Sequence, residues 1–117
     1  MVKRITRGVI GIQQGKLMLF SDFADGGEMW TGQGPREVRR EVKFKEPFLE
    51  PPAVLTGLSM WDMDNRQNGR MDLGVDEVTS TGFTIIFRTW ADTRIARVRA
   101  DWTAIGAIKD EDVWEIE

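Results

Sequence analysis

The sequence predicts an all-β chain folded as an antiparallel sandwich or barrel. Apolar residues recur at every second position in segment after segment. Clusters of Gly, Pro and Asn interrupt these segments at short intervals. No stretch sustains helical spacing over three turns.

Residues 1–26 are expected to form a β-rich N-terminal extension. Runs at 2–12 and 16–21 flank Gln13-Gln14-Gly15, which has the composition of a hairpin turn or tight loop. The stretch SDFADGGEMWTGQGP, residues 21–35, is rich in Gly and predicts a surface loop. Trp30 within it is either a plug over one end of the core or an exposed recognition ring. The plug is the expectation, because a lone Trp is usually mostly buried.

From Arg36 the period-two signal is clear. Val38, Val42 and Phe44, with Arg40 among them, alternate with Glu37, Arg39, Glu41 and Lys43. Pro47, Pro51 and Pro52 close this strand and keep the connection extended. A strand at 53–61 follows, then the polar turn DMDNRQNGR with its Asn68-Gly69 dipeptide. Asp62 is expected to organise that turn through Asx-type hydrogen bonds. Met71, Leu73 and Val75 alternate in a strand at 70–79, and Ser80-Thr81-Gly82 turns the chain into FTIIFRTW, where Phe83, Ile85 and Phe87 share a face. In the last strand Ala96, Val98, Ala100, Trp102 and Ala104 alternate with Arg97, Arg99, Asp101 and Thr103, which assigns Trp102 to the core. The closing KDEDVWEIE is acidic and carries Trp114. It is either a loose tail or a short strand on a neighbouring subunit.

Composition narrows the function classes. A length of 117 residues with 41% hydrophobic content suits one domain with an ordinary core. A net charge of −3 argues against binding a nucleic-acid backbone, since Glu37 and Glu41 interrupt the basic residues Arg36, Arg39, Arg40 and Lys43. With neither His nor Cys, the commonest general base, metal ligand and thiolate nucleophile are all missing. No catalytic residue, cofactor or metal ligand is therefore assigned, and a non-enzymatic protein is expected. Asp62, Asp64 and Asp72 lie close in sequence, as glycoside chemistry through two carboxylates would need, but Asp-rich turns are usually solvated, and DMDN lacks the spacing of an EF-hand calcium loop. Arg7, Gly8, Gln13, Gln14 and Lys16 break up the N-terminal apolar stretch, so neither a secretory signal nor a membrane span is expected. A role outside a cell would then require non-classical release or display on a particle. The mixed charges on the Arg36 strand and on the last strand have two readings, solvated faces or faces that meet across subunits with Arg forking onto carboxylates.

Between residues 44 and 106 the elements FKEPFLEPPAVLTGLSMWD, QNGR, VTSTGF, RTWADTRI and VRADWTAIG occur in order. Together with Gly27, Trp30 and Arg36-Glu37 upstream, they resemble the H-type lectin family. The resemblance implies a six-stranded antiparallel β-sandwich over 27–117, built into trimers that sometimes pair as hexamers. It implies glycan partners of the galactose or N-acetylgalactosamine type. It places the sugar at a subunit boundary, on Arg70, Trp90 and Asp92, with Gln33 and Gly34 contributed by the stretch before Arg36 of the neighbouring subunit. Ala91 stands where the family has a ligand-contacting histidine, and Gln33 where it has a carboxylate. The physical chemistry agrees with sugar binding: an aromatic face takes the C–H face of a sugar ring, and planar or charged groups take its hydroxyls. The alternative function is a structural or receptor-binding subunit of a phage-like particle that uses the fold for trimerisation.

Overall fold

A computed structural model describes residues 1–110, and the tail with Trp114 lies outside the described residues. Strands β1 (Val9–Ser21), β2 (Arg36–Lys43), β3 (Ala53–Met63), β4 (Asp72–Asp76), β5 (Gly82–Thr89) and β6 (Ile95–Ile108) are joined by loops and one short helix, α1 (Glu28–Thr31). They form two antiparallel three-stranded sheets, ordered β1-β6-β3 and β2-β5-β4. The predicted all-β, six-stranded sandwich is the fold observed.

The alternation seen in the sequence is what closes the two sheets on each other. Val98, Ala100 and Ala104 of β6 and Leu19 of β1 meet Phe83, Ile85 and Phe87 of β5 in one buried cluster. Leu19 and Phe20 are neighbours in sequence yet both buried, because a bulge between Met18 and Phe20 sets aside the strict period of two. Trp102 packs on the cluster as expected, its ring 5.3 Å from Phe83 and 6.0 Å from Phe44.

The N-terminal hairpin is not formed. β1 runs unbroken through Gln13-Gln14-Gly15 and pairs with β6 along its length. These residues do other work. Gly15 lies opposite Trp102, and a Cβ there would sit 2.7 Å from the indole nitrogen, so glycine makes room for the ring. Gln13 bridges to the chain after β2, accepting from the Lys45 N–H and donating to the Glu46 carbonyl. The expected strands shift at their ends: 53–61 extends to Met63, and 70–79 contracts to Asp72–Asp76.

The plug over the core end is Met29, fully buried, and its neighbour Trp30 is only half-buried. Asp22 fixes this loop by accepting from the Met29 N–H, while the Asp22 N–H donates to the Ala96 carbonyl of β6. Arg36 at the start of β2 is 5% exposed, and its guanidinium donates to four carbonyls, those of Glu28, Met29, Gly34 and Ala91. Burial pulls its pKa below the ordinary value, and the charge of Glu28 partly offsets this. One side chain thus ties the 28–34 loop to the turn after β5.

Asp64, not Asp62, organises the turn after β3. Its buried carboxylate accepts from the Arg66 side chain at 2.7 and 2.9 Å and from the Arg66 N–H at 3.0 Å. The Arg66 side-chain hydrogen bonds, helped by its backbone N–H, hold the Asp64 pKa down to about 2. Asp62 pairs with Arg97 across β6 at 3.4 Å. Part of the charged face of β2 pairs within the chain: Glu37 accepts from Arg39 at 3.0 Å and from Arg88 at 2.8 Å, and these arginines also reach Glu77 and Asp72.

Two outcomes follow. Arg36→Met leaves buried carbonyls without donors and lowers unfolding stability by roughly 2–4 kcal/mol in urea titration, with Arg36→Lys restoring only part because it lacks the planar fork. Asp64→Asn removes a carboxylate whose pKa is depressed by folding, so its contribution is present above the unfolded value of roughly 3.9 and is lost as pH falls through about 2. The gap in melting temperature between wild type and variant is therefore open at pH 6 and closes between about pH 4 and pH 2.

Candidate functional site

The turn after β5 is built from two threonines that look ordinary in the sequence. Thr89 and Thr93 are each 1% exposed, and their hydroxyls clamp the 68–70 segment. Thr89 Oγ1 donates to the Arg70 carbonyl at 2.6 Å. Thr93 Oγ1 donates to the Asn68 carbonyl and accepts from the Arg70 N–H at 3.1 Å. The main chain of Arg70 is thus held at both its polar atoms, which leaves its side chain to form an ion pair with Asp92. Ala91 between Trp90 and Asp92 takes a left-handed conformation, φ 58°. Trp90 is left 43% exposed at the head of this turn.

The opposite wall comes from the loop that Arg36 holds. The Gly34 N–H donates to the Ala91 carbonyl at 2.9 Å, and the same carbonyl accepts from Arg36 at 3.1 Å. Gly34 has φ 75°, a conformation that glycine adopts without strain. The contact brings Gln33 and Asp92 of one chain onto a single hollow of about 270 Å³, shared with Thr31, Gly32, Gln67 and Arg94. Trp90 lines a different hollow, with Pro35, Glu37, Asp72 and Arg88. Four of the five residues singled out in the sequence meet at a hydrogen-bonded junction within one chain, whereas the resemblance places Gln33 and Gly34 on the neighbouring subunit. Arg70 and Asp92 are joined directly, Gln33 shares a hollow with Asp92, Gly34 spends its N–H on the junction, and Trp90 stands on the flank.

Gln67 was not singled out by its sequence. Its Oε1 is buried with no hydrogen-bond partner among the described residues, and the residue borders the hollow between Gln33 and Asp92. Its place at the head of QNGR, one of the elements that resemble the family, was the local signal. Of the carboxylates in the 62–72 region, Asp62 pairs with Arg97, Asp64 with Arg66 and Arg94, and Asp72 with Arg88. No group of three or more acidic side chains able to hold a metal converges among the described residues. No helix among them is long and apolar enough to cross a membrane.

Known proteins give this geometry a context. Residues 39–105 match the H-type lectin domain. Over 108 residues, 92% of this chain and 94% of the relative, the sequence is 63% identical to the protein called ATP synthase subunits region ORF 7 of Fuscovulum blasticum. It is 31% identical over 77 residues to discoidin-2 of Dictyostelium discoideum, which covers 64% of this chain and 30% of that protein. The fold matches the solved structure of discoidin II from the same organism with a TM-score of 0.75 at 24% identity, over 92% of this chain and 40% of that one. The chain thus spans less than half the length of the discoidins it matches. With the domain match extending over more than half of its residues, the chain belongs to the H-type lectin domain family.

Proposed function

We propose that the chain is a non-enzymatic carbohydrate-binding module that works as an oligomer, with its sugar site at subunit boundaries. Family membership supports the class of function. The observation that carries the site is the exposed Trp90 ring on a turn whose backbone is fixed by buried hydroxyls. An exposed aromatic ring on a rigid support offers a stacking face at little entropic cost. Arg70 and Asp92 beside it bring donors and acceptors for hydroxyls, and Gln33, Gly34 and Gln67 border the same junction. Gln33 in place of a carboxylate is both donor and acceptor, which suits a neutral glycan of the galactose or N-acetylgalactosamine type.

Oligomerisation is supported by the outer face of the β1-β6-β3 sheet. Ile10 and Ile12 of β1 and Leu55 of β3 are 65%, 62% and 58% exposed. Register places Ile12 beside Ile105 and Ile10 beside Ala107, so apolar residues adjoin across the strands. Such a patch on an isolated chain marks an interaction surface. Weak single sites would gain strength by repetition on one rigid body, as a trimer or hexamer provides. The same patch favours the second reading, an assembly or receptor-binding component of a phage-like particle, and the two roles are compatible.

Glycan-array binding tests the first claim. The Trp90→Ala, Arg70→Ala double variant keeps its fold, since Arg70 anchors the turn through main-chain atoms, and loses at least about tenfold in glycan affinity. Undiminished binding removes the site assignment; an array with no signal for the wild type removes the function. For assembly, Ile12→Glu with Leu55→Glu reduces the wild-type oligomer to monomer in sedimentation velocity, whereas a wild type that sediments as a monomer overturns the oligomeric part.

A further inference from the structure

A second hollow lies away from the Trp90 turn. It holds about 430 Å³, within the range of roughly 300–1,000 Å³ usual for small-molecule clefts. Its walls come from the end of β1, the 22–30 loop, and the facing ends of β3 and β6. Phe23 and Trp30 meet edge to face at 4.9 Å and 76°, and Phe23 is 60% exposed. The Arg94 guanidinium sits 4.6 Å from the Trp30 ring centre, and Arg94 Nε donates to the Trp30 carbonyl at 2.8 Å, so the indole is held in place. Asp62 and Arg97, a half-exposed ion pair 3.4 Å apart, line the same hollow together with Ser21.

This lining selects a class of ligand. Asp62 and Arg97 cancel in charge, so an ionic ligand gains no net attraction from the wall. A wholly apolar ligand would desolvate that pair without returning hydrogen bonds. A neutral molecule with one apolar face and several hydroxyls satisfies both walls, its C–H face on the aromatic pair and its hydroxyls on the carboxylate, the guanidinium and Ser21. We propose that the hollow between the Phe23/Trp30 pair and the Asp62/Arg97 pair is a second saccharide site, present within one chain and separate from the junction at Trp90. The proposal rests on the lectin reading for its ligand class. Phe23 is the residue whose exposure the fold itself does not require.

Indole N–H signals in NMR, assigned by single Trp→Phe substitutions, provide the test. The full chain is titrated with methyl glycosides of galactose, N-acetylgalactosamine, glucose, mannose and fucose. The expected result is a saturable shift of the Trp30 signal that persists in the Trp90→Ala, Arg70→Ala variant and weakens roughly tenfold in Phe23→Ala, the scale of one aromatic contact. Asp62→Asn, which keeps the shape of the wall, weakens it as well. Phe23 is mostly exposed, so its replacement leaves the core intact. A Trp30 shift that vanishes with Trp90 and Arg70 but persists without Phe23 is relayed from the first site and overturns the proposal. A Trp90 response with a silent Trp30 overturns it and leaves the lectin reading standing. Silence of every indole across the panel overturns both.

Discussion

Taking a guanidinium out of water costs several kcal/mol unless each donor finds an acceptor. Arg36 meets that demand with main-chain carbonyls drawn from two separate pieces of chain, residues 28–34 on one side and Ala91 on the other. The first of these loops has few regular hydrogen bonds of its own, since α1 is only four residues long. Its shape is held by the cation beneath it together with Asp22, which accepts from the Met29 N–H. If either piece swung away, Arg36 would lose acceptors in a place water does not reach, so the pair moves together or stays. A loop supported in this way is pre-ordered.

The sandwich supplies the rest of the support without a cysteine in the chain. β5 is buried on both sides for most of its length: Phe83, Ile85 and Phe87 face the other sheet, while Thr84 and Ile86 are buried on the side where Glu37, Arg39 and Arg88 form their ionic lattice. Individually such surface pairs contribute about 0–1 kcal/mol. Their larger effect is to cover an apolar strand with the aliphatic stems of long side chains. The other sheet has no equivalent cover over Ile10, Ile12 and Leu55 among the described residues, so the two outer faces differ in how much apolar surface they leave open.

The strands from Arg36 onward are legible in the sequence because alternation of period two survives any detail of packing. The turn expected at Gln13-Gln14-Gly15 fails for a physical reason: glycine permits a turn, but here it answers a Trp102 ring brought opposite by pairing far along the chain. Local composition carries no trace of such a neighbour. Trp90, Arg70 and Asp92 are visible as members of ordered motifs; Arg70 and Asp92 are joined as an ion pair, while Trp90 lines a separate hollow. Thr89 and Thr93, which hold them there, look like ordinary strand and turn residues, because hydroxyl roles depend on burial. Asp64 takes the turn-organising role expected of Asp62, with the strand irregular between Asp62 and Met63 just before it. Trp30 gives way to Met29 as the plug, for the unbranched thioether fills the end of the core that the indole leaves.

Position 91 has a property of its own. The scaffold uses the carbonyl of Ala91, which receives Gly34 and Arg36, and leaves the methyl group in solvent. Its left-handed backbone is tolerated by Gly, Asn, Asp and His and resisted by β-branched residues. The side chains that this backbone admits are thus small or hydrogen-bonding ones, set between an aromatic ring and a carboxylate. Surface chemistry can be exchanged there without disturbing the hydrogen bonds beneath, so side-chain character and foldability are inherited through different atoms of the same residue.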